Sequence, residues 1–532
     1  MPAEGASGQD RVRTAEIIAA LSLATDLGMG LPYEHGMHST LVALRLAEQL
    51  GVDAETASAA YYVSLLFHIG CTTDAEMAAE LFPEGALRTH FDPVMFASPS
   101  QTVRGSVRAL ADPETTPPLR TIQALGRFLR AAGGHREHMI ALCEVAPMLT
   151  DRLGLPETVQ DAFAHLTERW DGKGAPAGVS GAELPLPLRI AHVARDATFQ
   201  LMLGGTDHVA SVMRERAGHA FDPAIARLVA DDAPAILALD TSGSVWDDTL
   251  DREPEPQFFL EGSAIDRALA AMGDFADLAS RYLVGHAAGV ADLATAAGRH
   301  CGLDDAGCLA LRRAGLVHDV GRVAISTRVW GKAEPLTTDE REQIRLHAYH
   351  TERVLSRSPF LAAITPVSTA HHERLDGTGY HRGVGGLSLA PPMRLLAAAD
   401  AYHAMTEPRP HRPPLSPAQA ATELARDVDG GRLDAVAVGA VLEAAGQRVP
   451  RLERPAGLTE REAVVVAMLA RGLQTKQIAR ALGISPKTAD HHIQHVYAKI
   501  GVSTRPAATL FAMEHGLLAW GELPMSAPTF RS

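Results

Sequence analysis

Between His286 and Asp400 the chain carries residues of the types that hold metal ions: His286, the pair His318–Asp319, His347, the pair His371–His372, and Asp400. Imidazole nitrogens and carboxylate oxygens without a thiolate suit a non-redox ion, or iron or manganese. Five histidines and two aspartates exceed the roughly four to six ligands of a single ion. They suit two ions that share a carboxylate and a hydroxide. Helical neighbours point about 100° apart, so an adjacent His–Asp pair reaches one centre only at its edge. An aspartate so placed can bridge two cations with its two oxygens. A Gly-rich loop, GTGYHRGVGG, follows at 377–386. Its glycines permit positive φ and close approach of backbone N–H groups to a phosphate.

The strings GLVHDVGRVAIS (315–326) and HHERLDGTGY (371–380) resemble the two signatures of the HD-GYP branch of the HD phosphohydrolases. The match runs in order from His286 to Arg412. The resemblance implies an all-helical domain that hydrolyses a phosphodiester, cyclic di-GMP or a related nucleotide, with two divalent ions, iron or manganese. It gives the metal-ligand positions to His286, His318, Asp319, His347, His371, His372 and Asp400, with Asp319 bridging and catalytic. Arg322 stands where the family has Lys, keeps the charge and can grip phosphate bidentately. Arg322, Arg374, Asp376, Gly377, Gly379 and Tyr380 are the expected substrate contacts. His381 replaces the family's proline, and His403 stands where the family often has a second Asp. Tyr282, four residues before His286, offers no carboxylate for a third ion. His350 and His403 themselves read as ordinary satisfied or exposed histidines.

The elements that must carry these residues are helices. Apolar residues recur at helical spacing, as in Leu41, Leu44, Ala47 and Leu50, and no convincing run of alternating strands is present. Three blocks follow: 1–250, 256–450 and 455–532. They are separated by a linker-like stretch from Asp231 to Phe258 and a Pro- and charge-rich boundary near Arg448 to Gly457. The Pro-rich segment Arg409 to Pro417 reads as a second linker or as a loop within a domain.

The first two blocks read as copies. HGMHSTLVALRLAEQLGVD from His35 matches HAAGVADLATAAGRHCGLD from His286. LTERWDGKGAP (166–176) matches HHERLDGTGYH (371–381), and LRIAHVARDATF (188–199) matches MRLLAAADAYHA (393–404). The offset is 251 early and 205 later, so the first copy holds 251 − 205 = 46 extra residues between Cys71 and His135. In the first copy Phe67–His68 falls on His318–Asp319, Cys143 near His347, Leu166–Thr167 on His371–His372, and Asp196, with the offset taken as 400 − 196 = 204, on Asp400. Only His35 and Asp196 remain of the ligand set, and the first block is expected to be catalytically dead.

Residues 458–518 begin with Thr459 and Glu462, the spacing of a capping box. Helices are expected over 460–471, over 475–482, over 486–500 after a Ser485 cap, and after a Ser503 cap. Two helices joined by a short Gly turn make a helix-turn-helix. LTEREA, IARALGIS, KT and KIGV resemble the LuxR-type DNA-binding domain, a four-helix module. That resemblance implies contacts to duplex DNA from Thr475, Lys476, Lys487, Thr488, His491, His492 and Lys499, and pairing into a homodimer on two half-sites. Asp490 stands where relatives carry Lys. Between Gly457 and Glu522 seven basic and five acidic residues give +2, so the rest of the chain carries −14 − 2 = −16. The DNA-facing charge is therefore local.

The expected architecture is all-α: tandem HD-domain helical bundles followed by a LuxR-type helix-turn-helix domain. With 46% hydrophobic and 21% charged residues, the chain can bury a core and is not disordered. Four cysteines in 532 residues form no disulfide framework, which points to a reducing, cytoplasmic setting. The first residues, MPAEGASGQDRVRTAE, have no apolar run, so neither a secretory signal nor a membrane partner is expected. Two functions fit this reading. One is a dinuclear phosphodiesterase coupled to transcription regulation. The other is a sensor that binds a nucleotide or metal and acts only through DNA.

Overall fold

In the computed structural model the described residues are 11–70, 72, 75–83, 85–111, 117–238, 243–446, 455–514 and 517. Cys71, part of the Asp231–Phe258 stretch and most of the Arg448–Gly457 boundary lie outside them. The chain divides into two compact units, Met1–Ile265 and Asp266–Ser532. Both are helical. Among the described residues the strands are Arg11–Arg13 and Phe259–Glu261, paired antiparallel with Val12 opposite Leu260.

In the first unit the helix His35–Leu50 packs on Ala54–Leu65 and on Leu186–Arg216. In the second, His286–His300 packs on Asp305–Val317 and on Pro391–Thr406. Val290, Leu311, Leu395, Leu396, Tyr402, Leu424 and Val441 form one buried cluster behind these helices. Removing such side chains from water is the main drive for the bundle.

Local devices recur between the units at the offsets read from the sequence. Asp26 accepts a hydrogen bond from the Gly36 N–H, and Asp277 from the Ala287 N–H, each 251 residues on. Asp53 caps its helix through the Thr56 N–H, and Asp304 through the Gly307 N–H. Glu34 has φ 71°, and Gly285 has φ 80° at the same step before the histidine helix. Glu168 accepts from the Ala177 N–H, and Glu373 from the Arg382 N–H, 205 residues on.

Two expectations need correction. The stretch Asp231–Phe258 is not simply a linker. Helices Ala233–Leu237 and Val245–Asp251 occupy much of it, Trp246 and Leu250 are buried, and the Tyr61 hydroxyl donates to the Thr249 carbonyl. Asp232 and Ser244 start these short helices by accepting from the Ala235 and Asp247 N–H groups, and the few apolar residues pin them down. The extra residues of the first unit are likewise structured, with helices Ala75–Leu81 and Pro99–Leu110 and the start of Pro117–Arg152. The last helix, Arg505–Glu514, begins after Thr504, whose Oγ1 accepts from the Ala507 N–H, one residue later than the Ser503 cap.

The remaining C-terminal helices are Glu460–Ala470, Thr475–Leu482 and Pro486–Ile500. Local capping sets their ends. Thr459 and Glu462 form the capping box, Gly483 turns at φ 65°, and Ser485 Oγ accepts from the Thr488 N–H.

Candidate metal centre

The seven ligand candidates of the second unit converge. His286 opens its helix, and His318 and Asp319 lie at the end of Asp305–Val317, where the chain tightens into the 3-10 turn Val320–Ala324. His347 comes from Thr338–Leu355, His371 and His372 from the turn before the Gly-rich loop, and Asp400 from Pro391–Thr406. Gly321 allows the close approach of the Thr338–Leu355 helix, because a Cβ there would lie 2.3 Å from the His347 carbonyl oxygen.

Asp319 lies between two groups. Its Oδ2 is 2.8 Å from His318 Nε2 and 3.4 Å from His286 Nε2, and the latter is 3.2 Å from Asp400 Oδ1. Its Oδ1 is 3.3 Å from both His347 Nε2 and His371 Nε2. His347, His371 and His372 form the second group, and His286, His318, Asp319 and Asp400 the first.

Orientation is fixed from the other side of each ring. The Nδ1–H of His318 donates to the Gly315 carbonyl at 2.7 Å, that of His347 to Ile344 at 2.5 Å, and that of His371 to Ser368 at 2.7 Å. These i−3 carbonyls select the tautomer whose Nε2 lone pair faces Asp319. His286 Nε2, His318 Nε2, both Asp319 oxygens and Asp400 Oδ1 are buried and make no hydrogen bond of acceptable angle among the described residues. Buried acceptors and lone pairs converging in this way fit divalent cations.

The electrostatics follow. Burial pushes the Asp319 carboxyl up, but Arg322 and His318 outweigh it and hold the group well below the usual carboxylate range. The Arg322 Nη2 lies 2.6 Å from Asp319 Oδ2. Asp400 is likewise depressed against its burial by His286 and His372. Burial pulls His347 down, and His372 well down.

The expected substrate contacts fall into two classes. Tyr380 stacks on His372 with ring centroids 4.6 Å apart, and Arg345 lies over its ring. Tyr380 also borders a cavity of about 350 Å³ lined by Leu336, Arg341, Ile344 and Arg345. Arg322 lies within the ligand cluster. Asp376 is exposed and shapes its own loop by accepting from the Thr378 N–H and hydroxyl. Gly377 is exposed at φ 75°, Gly379 packs against the Glu373 backbone, and Arg374 donates to the His371 and Glu373 carbonyls. His381, in the family's proline position, meets Glu352 at 2.8 Å.

Two neighbours escaped the sequence reading. His403, taken as ordinary, is buried with its ring 5.1 Å from that of His286. Glu407, just beyond the Pro391–Thr406 helix, lies 2.9 Å from His286 Nδ1 and 3.0 Å from His403 Nδ1. The i, i+4 spacing of His403 and Glu407 after Asp400 was the available signal.

Among the described residues, no group close enough to share an ion lies in the first unit. Phe67, Leu166 and Cys143 are buried there, and Cys143 faces the Thr167 hydroxyl. Both Asp196 oxygens are taken by Arg216, at 2.6 and 2.7 Å.

In the C-terminal module Lys476, Lys487, Thr488, Asp490 and His491 are exposed, while Thr475 and His492 are half-buried. The Thr488 hydroxyl is 2.8 Å from that of Ser485. Lys499 donates to Glu462 at 2.7 Å, alongside His495 on its other oxygen. Lys499 therefore braces the first helix of the module against the third.

Residues 271–436 match the HD domain family, and residues 456–512 match the bacterial regulatory proteins of the luxR family. A 3'3'-cGAMP-specific phosphodiesterase of Vibrio cholerae is 26% identical over 416 residues, 76% of this chain and 88% of that protein. That alignment is longer than the second unit, so it extends into the first. A cyclic di-GMP phosphodiesterase of Thermotoga maritima is 36% identical over 100 residues, 18% of this chain and 27% of that protein. The solved structure of a V. cholerae cyclic GMP-AMP-specific phosphodiesterase matches with TM-score 0.58 at 21% identity, over 82% of this chain and 99% of that one. Its fold is shared. No helix among the described residues is long and apolar enough to cross a membrane. The chain thus joins an HD domain, over residues 271–436, to a LuxR-family regulatory domain, over residues 456–512, and is a homologue of cyclic-dinucleotide phosphodiesterases.

Proposed function

We propose that the second unit is a metal-dependent phosphodiesterase acting on a cyclic dinucleotide, 3'3'-cGAMP or cyclic di-GMP, and that the C-terminal module binds duplex DNA as a homodimer. The observation that carries the catalytic half is Asp319, whose two oxygens face two separate groups of inward-turned imidazoles. His286, His318 and Asp400 would hold one divalent ion and His347, His371 and His372 the other, iron or manganese by donor type. Such ions supply Lewis-acid chemistry, lowering the pKa of water and neutralising charge on phosphoryl oxygens. Arg322, buried against Asp319, would add a fixed positive charge where the phosphodiester gathers negative charge. Tyr380, stacked on His372 beside the cavity, would add aromatic surface at the mouth of the site.

The first unit reads as a copy that has lost this chemistry, and the devices repeated at offsets 251 and 205 support that reading. Protein purified without chelator should carry about two metal equivalents per chain and turn over a cyclic dinucleotide faster than a generic phosphodiester. Absence of both metal and turnover would overturn the enzymatic reading. A sensor without turnover, the reading favoured by the fused regulatory domain, predicts metal or nucleotide binding with no hydrolysis. For DNA, Lys487→Glu should weaken duplex binding and lower its salt dependence by about one phosphate contact. Undiminished binding by a chain lacking 455–532 would remove the DNA assignment.

A further inference from the structure

Resting on the reading of His286 as a ligand, we propose that Glu407 is the positioning residue of the metal centre, the carboxylate that fixes the ring of His286. Three of the inward-facing histidines need no outside help. His318, His347 and His371 each find a backbone carbonyl three residues earlier for the Nδ1–H. His286 is the first residue of its helix, and its own N–H is bonded to the Leu283 carbonyl. No preceding turn of the same helix supplies a carbonyl to its ring. Glu407 takes that role from another element, with Oε2 2.9 Å from His286 Nδ1.

The carboxylate is itself held. Arg409 Nη2 donates to the same Oε2 at 2.9 Å, while its Nη1 donates to the Tyr282 carbonyl at 2.7 Å, four residues before His286. His403 Nδ1 lies 3.0 Å from Oε1. Room for His403 depends on Gly289, one turn along from His286, since a Cβ there would stand 1.7 Å from His403 Nε2.

His286, His403 and Glu407 are also close enough to surround an ion of their own. The direction of the His286 ring argues against that use. Its Nε2 faces Asp319 and Asp400, and a neutral imidazole has one lone pair. Nδ1 must then carry the proton and donate it in a hydrogen bond to Glu407. A carboxylate behind a ligating histidine raises the basicity of that histidine, and its loss typically weakens metal binding about 10–100-fold.

The test is Mn²⁺ titration of the full-length chain, read by electron paramagnetic resonance, for the wild type, Glu407→Ala and Glu407→Gln. The alanine variant should bind Mn²⁺ about 10–100-fold more weakly and still reach the wild-type stoichiometry at saturation. The glutamine variant keeps an acceptor oxygen and should lie between the two. It also serves as the folded control if the alanine variant does not fold. Unchanged affinity in both variants overturns the proposal. So does loss of one whole equivalent with the rest at wild-type affinity, because Glu407 would then be a ligand of a separate ion. A wild type that binds no Mn²⁺ instead removes the underlying assignment of His286.

Discussion

At the centre of the first unit the buried charge is a guanidinium, whereas at the centre of the second it is a group of carboxylates. Arg195 is 1% exposed and lies 5.4 to 5.9 Å from the rings of Phe67, Phe96 and Phe199. Its Nε and Nη2 have no hydrogen-bond partner among the described residues. Burial and this nearby cation lower His35 to about 3, and lower His68 well below its usual value. Asp196 is neutralised by Arg216. In the second unit Asp319 and Asp400 face five imidazoles and one arginine. The first unit thus buries a permanent cation beside aromatic faces, and the second buries carboxylates among imidazoles. At the sequence offsets of 251 and 205, Phe67 stands at the place of His318 and Arg195 at that of Asp400.

The largest expected difference is in catalysis. Changing His318 and Asp319 together to alanine should abolish bound metal and turnover. Changing His35 and Asp196 together should leave both, with folding checked by circular dichroism. A folded His35/Asp196 variant that loses turnover with its metal intact would break the division between the units.

The next effect is on stability. Arg216→Met leaves Asp196 buried without its partner and should cost about 3–5 kcal/mol in chemical denaturation, with metal content unchanged. A cost near zero would mean that Asp196 is not held by that pair.

A smaller effect depends on pH. His35 is held neutral in the fold, with its pKa lowered from 6.5 to about 3. The unfolded chain therefore takes up a proton first as pH falls. The stability due to this histidine is complete above pH 6.5 and is lost progressively toward pH 3. Between pH 6.5 and 5 the loss is about 2 kcal/mol at most, and His35→Gln should flatten it. An equal slope in that variant would assign the effect elsewhere.

The smallest concerns the step before the histidine helix. Gly285→Glu installs the residue that the first unit tolerates at Glu34 with positive φ. It should cost about 1–2 kcal/mol and leave metal content unchanged. Loss of metal would mean that the two steps are not equivalent.

What the sequence made legible was local or chemically conspicuous. Ser485, Thr459 with Glu462, and Gly483 set helix ends through bonds within a few residues, and the helices Thr475–Leu482 and Pro486–Ile500 have the expected bounds. The seven ligand candidates stood out because so many titratable side chains rarely recur in such an order without a shared centre. Glu407 and His403 were not legible, because their role depends on which face of His286 remains after its Nε2 is turned inward. Arg195 lies between His192 and Asp196 and reads as an ordinary helical charge. Only the packing of Phe67 and Phe96 from two distant segments, with Phe199 one turn along its own helix, gives it a centre to occupy. Lys499 read as a phosphate contact, and the partner that engages it, Glu462, is 37 residues away.

The tethered cation of the first unit has a consequence for how the halves of the chain respond to their surroundings. Arg195 is part of the chain and does not dissociate, so the charge at that centre does not vary with ion supply. On the reading given for the second unit, a ligand that binds only the folded state adds RT ln(1 + [L]/Kd), about 2.7 kcal/mol when free ion is 100 times Kd. One half of the molecule then has a fixed central charge, and the other has a thermal midpoint that rises with the logarithm of available metal. Scarcity of the ion would lower the folded fraction of the HD domain selectively, making that half the point of entry for proteases while the other remains intact.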